Sequence, residues 1–278
     1  MEPQFVEVDG FKVNHVEIGS GEPAILLHGL GGSWKDWIEL ISMLSPSYRV
    51  CAIDLPGFGM SPAPSIEQTE YSLAFMASFV RKLMDVKGYE RAFLIGNSMG
   101  GGIALRCAID YPKRVKGTVL SNGIGLGREI AGFNRALAFP GIARLLIPFV
   151  SAAIVGTIWK SLIFDPKVIN QAILDRTWEW IRKAETKNFL IHLYPRALSI
   201  WGQKDILLPE AGKIKCPCLI TWGINDPVLP VSQAIKAYLY IPSAQLYLIR
   251  NCGHLPHLEQ ANEFNQAALK FLNESRSH

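Results

Sequence analysis

Two patterns of apolar and polar positions alternate along most of the chain. Short apolar runs bounded by turn residues predict buried strands, and stretches with apolar residues at three- and four-residue spacing predict helices between them. The runs are AILL (24–27), VCAI (50–53), AFLI (92–95), VKGTVL (115–120), CLITW (218–222) and AQLYLI (244–249), and the helical stretches are 33–44, 72–87, 99–111 and 256–272. Regular alternation of strand and helix predicts a mostly parallel sheet covered on both faces.

The start of the chain follows a different pattern. QFVEVDGFKVNHVEIGSGEP (4–23) alternates apolar and polar residues on both sides of Asp9-Gly10. A period of two around an Asp-Gly turn is typical of an antiparallel hairpin. We therefore expect this hairpin to form one edge of the sheet.

The alternation of strand and helix stops after Ser121 and resumes near Lys215. Residues 127–210 between them are rich in helical patterns and apolar side chains, including tryptophans at 159, 178, 180 and 201. This predicts a core domain made of residues 1–126 and 211–278, with residues 127–210 inserted as a helical cap over the active edge of the sheet.

One segment of the predicted cap, LLIPFVSAAIVGTIW (145–159), carries no charge and is flanked by Arg144 and Lys160. It is shorter than the roughly 20 residues that span a bilayer, and it contains Pro148 and Gly156. A helix that lines a pocket or the core is the favoured interpretation. Weak contact of the cap with a membrane surface is the alternative.

Composition excludes several classes of protein. Among 278 residues, 49% are hydrophobic and 19% charged, which is typical of a globular chain with a large core. The net charge of +4 comes from scattered Lys and Arg, so we expect no nucleic-acid partner. Glu2 and Glu7 stand where a signal peptide carries positive charge, which favours a cytoplasmic protein.

The five cysteines are an odd number, and most lie in or beside apolar runs. This predicts reduced, buried thiols. Cys216-Pro217-Cys218 has no second Cys or His pair at zinc spacing, so we expect no metal site.

The candidate nucleophile is Ser98, in the pentapeptide Gly96-Asn97-Ser98-Met99-Gly100. The pentapeptide follows a predicted strand and precedes a predicted helix, which is the context that gives Gly-x-Ser-x-Gly its meaning. The flanking glycines permit a sharp turn that lifts the hydroxyl clear of the sheet. The alternative, a glycine-rich turn without catalytic function, leaves this context unexplained.

A serine nucleophile needs a base, and the base needs a carboxylate. His254 follows the last predicted strand through a loop, whereas its rival His257 falls in the first turn of a helix and is expected to face elsewhere. Two segments read W-G-x-x-D-x-x-L-P, around Asp205 and Asp226. Only the second follows a clear buried strand, so Asp226 is the predicted acid, and Asp205 a cap or hinge residue.

The oxyanion of an acyl-transfer intermediate needs backbone donors. His28-Gly29-Leu30-Gly31-Gly32 ends the strand at 24–27 and can present the Leu30 amide, and Met99 can present its amide from the N-terminus of the next helix. His28 itself is interpreted as a structural histidine. Asp54–Ser61 lacks the glycine spacing of a phosphate loop and is interpreted as a fixed structural loop.

HGLGG, DLPGFGMS, GNSMGG, WGINDPVLP and NCGHLPHLE resemble, in order and spacing, the motifs of the α/β-hydrolase superfamily. The resemblance covers nearly the whole chain except the cap. It implies a three-layer fold with an eight-stranded sheet, an acyl-enzyme mechanism and no cofactor. Haloalkane dehalogenases and epoxide hydrolases of this superfamily use Asp as the nucleophile at this turn. This chain has Ser98 there, so neither activity is expected.

Three functions fit this resemblance. The first is a carboxylesterase or lipase-like enzyme for small esters with an apolar acyl or alcohol part, suggested by the aliphatic and aromatic cap. The second is hydrolysis of a carbon–carbon bond in ring-fission products, since GNSMGG and NCGH resemble those enzymes, although Leu255 and Trp34-Lys-Asp-Trp37 replace their usual Trp and Asn. That anionic substrate requires an inward-facing cap arginine, with Arg128, Arg135, Arg144, Arg176, Arg182 and Arg196 as candidates. The third is a non-catalytic ligand receptor on the same fold.

Overall fold

A computed structural model describes residues 1–64 and 70–277. Eight strands form one sheet in the order β1-β2-β4-β3-β5-β6-β9-β10. Their bounds are β1 Gln4–Val8, β2 Phe11–Ile18, β3 Glu22–Leu27, β4 Tyr48–Ile53, β5 Ala92–Asn97, β6 Val115–Ser121, β9 Cys218–Gly223 and β10 Ala244–Ile249. Two short strands, β7 Leu198–Ser199 and β8 Gly202–Gln203, pair with each other outside this sheet.

The sheet is parallel from β4 to β10, and β1 and β2 form an antiparallel hairpin at its edge. This confirms the mostly parallel eight-stranded sheet of an α/β fold. Alternate residues of one strand enter two different apolar clusters: Ile25 and Leu27 join the larger cluster, while Ala24 and Leu26 join the smaller. The strands are apolar on both sides because each face of the sheet is covered.

The α-helices connect successive strands along the chain, except for the last two, which follow β10. In the core they are α1 Ile38–Leu44, α2 Leu73–Val86, α3 Met99–Asp110, α9 Ser232–Tyr240, α10 Pro256–Glu259 and α11 Ala261–Glu274. Between β6 and β9 they are α4 Gly132–Ala136, α5 Pro140–Leu146, α6 Ala152–Ser161, α7 Gln171–Ile181 and α8 Ala184–Ala197. We use the name cap for residues 127–210, and its exact limits stay a prediction.

Two predicted helices are divided in the structure. The stretch from Pro256 breaks at Gln260 into α10 and α11, and residues 145–159 are not one helix. Pro148 lacks a backbone N–H, and the chain passes through a short 3₁₀ turn, Ile147–Phe149. Ser151 then begins α6 by accepting a hydrogen bond from the Ile154 amide.

Among the described residues, no single helix has the length and apolar character needed to cross a membrane. The segments Gly141–Phe149 and Ala152–Ser161 meet that test only as a pair, and they are bent by 113°. All five cysteines are free and buried, as the sequence predicts.

Candidate active site

The turn between β5 and α3 places Ser98 at the carboxyl edge of the sheet. Ser98 has φ 53° and ψ −113°, in the region that non-glycine residues seldom adopt. The turn is close-packed, since a Cβ added to Gly96 would lie 2.1 Å from the carbonyl oxygen of Gly100, and one added to Gly100 would lie 2.0 Å from that of Leu27. The pentapeptide needs its glycines to let these backbones meet.

Three side chains from separate strand ends form a continuous hydrogen-bonded chain. His254 Nε2 lies 2.9 Å from Ser98 Oγ, and His254 Nδ1 lies 2.8 Å from Asp226 Oδ2. The carboxylate of Asp226 is fully buried, and the imidazole is nearly so. A carboxylate at Nδ1 favours the tautomer with its proton on Nδ1, which leaves Nε2 free to accept from the hydroxyl.

Asp226 is held by donors on both oxygens. The amides of Val228 and Leu229 donate to Oδ1, at 2.7 and 3.0 Å, and Asn122 Nδ2 donates to Oδ2, at 2.6 Å. These bonds satisfy a buried charge and fix its orientation toward His254.

The loop that carries His254 is tied to the partly buried carboxylate of Glu259 and to the cap. Glu259 accepts hydrogen bonds from the amides of Gly253 and Leu255, at 2.9 and 3.0 Å. The His254 amide donates to the carbonyl oxygen of Leu162 in the cap, at 2.8 Å. The position of the imidazole therefore depends on both parts of the chain.

Leu30 and Met99 both line the cavity beside Ser98. Among the described residues, neither amide donates to a protein acceptor. Gly29 brings the two segments together, because a Cβ at this position would lie 3.2 Å from Ser98 Cβ. The arrangement leaves two donors available for a substrate oxygen.

The other histidines near the site have different surroundings. The Leu55 amide donates to His28 Nε2, at 2.9 Å, and His28 Nδ1 lies 2.7 Å from the Gly29 carbonyl oxygen, so the ring is held neutral within the loop. His257 stacks on Trp37 with ring centroids 4.3 Å apart, and burial lowers its pKa to about 3. His257 lies in the short helix α10 and its ring packs on Trp37 and Phe264, although the residue also borders the cavity. The imidazole that meets Ser98 is that of His254.

Asp205, the twin of Asp226, lies elsewhere. Its Oδ2 accepts a hydrogen bond from the Leu73 amide in the first turn of α2, at 3.2 Å. It follows β8, at the end of the cap. Asp205 thus links the end of the cap to a core helix, and the carboxylate that meets His254 is that of Asp226.

A cavity of about 170 Å³ opens above Ser98 between core and cap. Its lining is mostly aliphatic and aromatic; the cap contributes Ile130, Phe133, Asn134, Ile158, Trp159, Leu162, Leu193, Tyr194, Ala197 and Leu198. In the described lining the charged side chain is Asp36, and there is neither Lys nor Arg. Of the cap arginines proposed as anion ligands, Arg176 pairs with Asp36 and Arg182 with Glu179.

Sequence reasoning missed the residues that position the site. Asn122 directly follows β6, at the same sheet edge as the ends of β5 and β9, and this placement was its available signal. Asn97 Nδ2 donates to the carbonyl oxygens of Ser121 and His254, at 3.2 and 3.1 Å. The sequence around Glu259 does not indicate its positioning role, because its hydrogen-bond partners are backbone amides, which every residue except proline has.

The chain is similar to known α/β hydrolases in sequence and in fold. The family model of the alpha/beta hydrolase fold matches residues 23–261. The chain is 34% identical over 275 residues to 2-hydroxy-6-oxo-6-phenylhexa-2,4-dienoate hydrolase of Comamonas testosteroni, covering 96% of this chain and 93% of that protein. Among solved structures it resembles a meta-cleavage product hydrolase from Pseudomonas fluorescens IP01 (TM-score 0.84, 25% identity, 98% of each chain). It also resembles a bacterial membrane phospholipase A (TM-score 0.83, 27% identity, 100% of this chain and 87% of that one).

The chain belongs to the α/β-hydrolase family and is a hydrolase. The names of its relatives favour carbon–carbon bond hydrolysis over ester hydrolysis, the reverse of the order inferred from the sequence. They give no support to the non-catalytic receptor.

Proposed function

We propose that this member of the α/β-hydrolase family cleaves carboxylic esters with an apolar acyl or alcohol part, through an acyl-enzyme on Ser98. The supporting observation is the chain Ser98–His254–Asp226 opening into an apolar cavity whose described lining contains a carboxylate and no cation. Such a lining binds hydrocarbon and excludes water. It offers no charge partner to an anionic substrate.

In the proposed mechanism His254 Nε2 takes the proton of the Ser98 hydroxyl while Oγ attacks the ester carbonyl carbon. The electron pair of the carbonyl moves to its oxygen, which the amides of Leu30 and Met99 stabilise. The buried carboxylate of Asp226 stabilises the imidazolium. When the tetrahedral intermediate collapses, the carbon–oxygen bond breaks and His254 returns the proton to the leaving alcohol.

The second half of the cycle repeats these steps with water. Water gives a proton to His254 Nε2 and attacks the acyl carbon, and the second tetrahedral intermediate uses the same two amides. Collapse releases the carboxylic acid and returns the proton to Ser98. Every proton and electron pair comes from the chain, the ester or water.

Hydrolysis of a vinylogous diketo acid is the second candidate, and the identity of 33–34% to hydrolases of such compounds favours it. The described lining of the cavity offers no Lys or Arg to such a substrate. Asp36 stands in the lining, and Arg176 already pairs with that carboxylate from the cap. An anionic dienoate would therefore enter the cavity without a cation in the described lining to pair with its carboxylate.

Turnover of two substrate series by one preparation separates the candidates. The first series is p-nitrophenyl esters from acetate to decanoate. The second contains one compound, 2-hydroxy-6-oxo-6-phenylhexa-2,4-dienoate, whose cleavage is measured as loss of its absorbance. We expect kcat/KM to rise with acyl length and to exceed that for the dienoate at least a hundredfold. A higher kcat/KM for the dienoate would overturn the ester proposal, and Ser98→Ala should abolish whichever activity is found.

A further inference from the structure

The cap carries a protruding apolar surface that no described part of the chain covers. It lies on α5, the 3₁₀ turn and α6, and we call residues 141–161 the cap elbow. Its exposed side chains include Leu145 (64%), Leu146 (51%), Phe149 (75%) and Ile154 (43%). The bend of 113° puts Phe149 at the apex between the two helices. Large apolar side chains clustered at an exposed tip typically mark an interaction surface.

The charges within the sequence of the cap elbow and its flanks have one sign. Residues 130–164 contain Arg135, Arg144 and Lys160 and not one Asp or Glu. Lys187 adds a fourth cation, because its Nζ donates to the carbonyl oxygen of Pro148 inside the elbow, at 2.7 Å. The helices packed against the elbow also carry the exposed carboxylates Asp175 on α7 and Glu185 on α8. An apolar centre flanked by these cations complements the acyl chains and the negative headgroups of an anionic bilayer.

The cap elbow continues into the wall of the cavity above Ser98. Ile158 lies one turn after Ile154 on α6, is 37% exposed, and also lines the cavity. Phe133 in the same cap is 46% exposed and lines the cavity as well. Apolar surface therefore extends from the exposed apex to the space over the nucleophile.

We propose that the cap elbow docks on an anionic phospholipid bilayer, with Leu145, Leu146 and Phe149 entering the headgroup region and Arg144 and Lys160 contacting lipid headgroups. Docking puts the apolar path along Ile154 and Ile158 against the membrane, so that an ester dissolved in the bilayer reaches Ser98 without crossing water. This delivery of substrate rests on the proposed ester hydrolysis, whereas the docking itself does not.

Vesicle flotation tests the docking on the whole protein. The probes are extruded vesicles of phosphatidylcholine alone and of phosphatidylcholine with 30% phosphatidylglycerol. The test variant is Leu145→Glu/Phe149→Glu, and the matched control is Leu239→Glu, since Leu239 on α9 is 75% exposed, as Phe149 is. Ser98→Ala is floated alongside, so that docking is measured whether or not Ser98 is the nucleophile.

We expect the wild type and Ser98→Ala to float with the anionic vesicles, and flotation to weaken as salt rises from 0.05 to 0.5 M because salt screens the attraction. The double variant should bind at least tenfold more weakly, and Leu239→Glu should bind as the wild type does. Removing one cation, as in Arg144→Gln, should weaken binding to anionic vesicles about fivefold. The rate of p-nitrophenyl butyrate hydrolysis in solution should be unchanged from the wild type in Leu145→Glu/Phe149→Glu and in Leu239→Glu.

Three outcomes would overturn the proposal. One is absence of wild-type flotation with either vesicle. Another is equal loss of flotation in Leu239→Glu, which would indicate general surface hydrophobicity. The third is a dimer, measured by light scattering, that Leu145→Glu/Phe149→Glu separates while vesicle binding is absent; the cap elbow would then be a contact between two copies of the chain.

Discussion

Asp226→Asn changes one buried atom and should disable the base without unfolding the chain. The amides of Val228 and Leu229 both donate to Oδ1, so an asparagine must direct its carbonyl oxygen to them and its NH₂ group toward His254. An NH₂ group at His254 Nδ1 forces the proton onto Nε2. The imidazole then cannot accept the proton of the Ser98 hydroxyl, because the nitrogen 2.9 Å from Oγ is already protonated.

Loss of the productive tautomer should lower kcat about 10⁴-fold, or about 5 kcal/mol in activation free energy. The substitution also takes from Asn122 Nδ2 the carboxylate oxygen 2.6 Å away, which should cost about 1–3 kcal/mol of unfolding free energy. Steady-state hydrolysis of p-nitrophenyl butyrate measures the first effect, and urea denaturation followed by tryptophan fluorescence measures the second.

Asp205→Asn is the matched control, because Asp205 occupies the same position in the twin segment and accepts from the Leu73 amide, which an asparagine oxygen can still do. Its kcat should stay within about twofold of the wild type. The reasoning would be refuted if Asp226→Asn kept more than a tenth of wild-type kcat while folded, or if Asp205→Asn lost as much as Asp226→Asn.

Three further substitutions test other parts of the structure. Gly100→Ala should cost about 3 kcal/mol or more by urea denaturation, because its Cβ would lie 2.0 Å from the carbonyl oxygen that ends β3, whereas Gly141→Ala, with nothing within 4 Å, should be tolerated. Burial lowers the pKa of His257 from 6.5 to about 3, so as pH falls from 6.5 toward 3 the unfolded chain binds a proton that the folded chain excludes. The free energy of unfolding should therefore fall by about 1.4 kcal/mol per pH unit from this group, and His257→Gln should remove that slope; equal slopes would contradict the assignment. Arg176→Met should cost about 3 kcal/mol because it leaves the buried Asp36 carboxylate without its ion pair, and adding Asp36→Asn should recover part of that loss; no recovery would assign the cost to packing.

The sheet and the positions of Ser98, Asp226 and His254 could be predicted because each depends on local signals and one general rule. The apolar runs mark strands, and the ends of parallel strands meet at one edge of a sheet. Residues that follow β5, β9 and β10 must therefore lie near one another. No further signal in the sequence was needed to place Ser98, Asp226 and His254 within hydrogen-bonding reach of one another.

Direction and pairing within the cap could not be predicted in this way. The uncharged segment 145–159 has the composition of one helix, yet Pro148 and the helix N-cap Ser151 divide it, and the two parts are bent by 113°. Leu145, Leu146, Phe149 and Ile154 are exposed. Residues 127–210 offer six arginines as anion ligands by composition alone. Long-range partners such as Asp36 decide where an arginine points, and periodicity carries no information about them.

Covalent labelling with a fluorophosphonate tests most directly whether Ser98 is an activated nucleophile. Attack by Oγ displaces fluoride and leaves a phosphonyl group on the serine, which peptide mass spectrometry locates. The account predicts one adduct per chain, on the peptide that contains Ser98, formed at least a hundredfold more slowly in His254→Ala and absent from Ser98→Ala. A folded wild-type protein that forms no adduct, or one whose adduct lies on another residue, would contradict it.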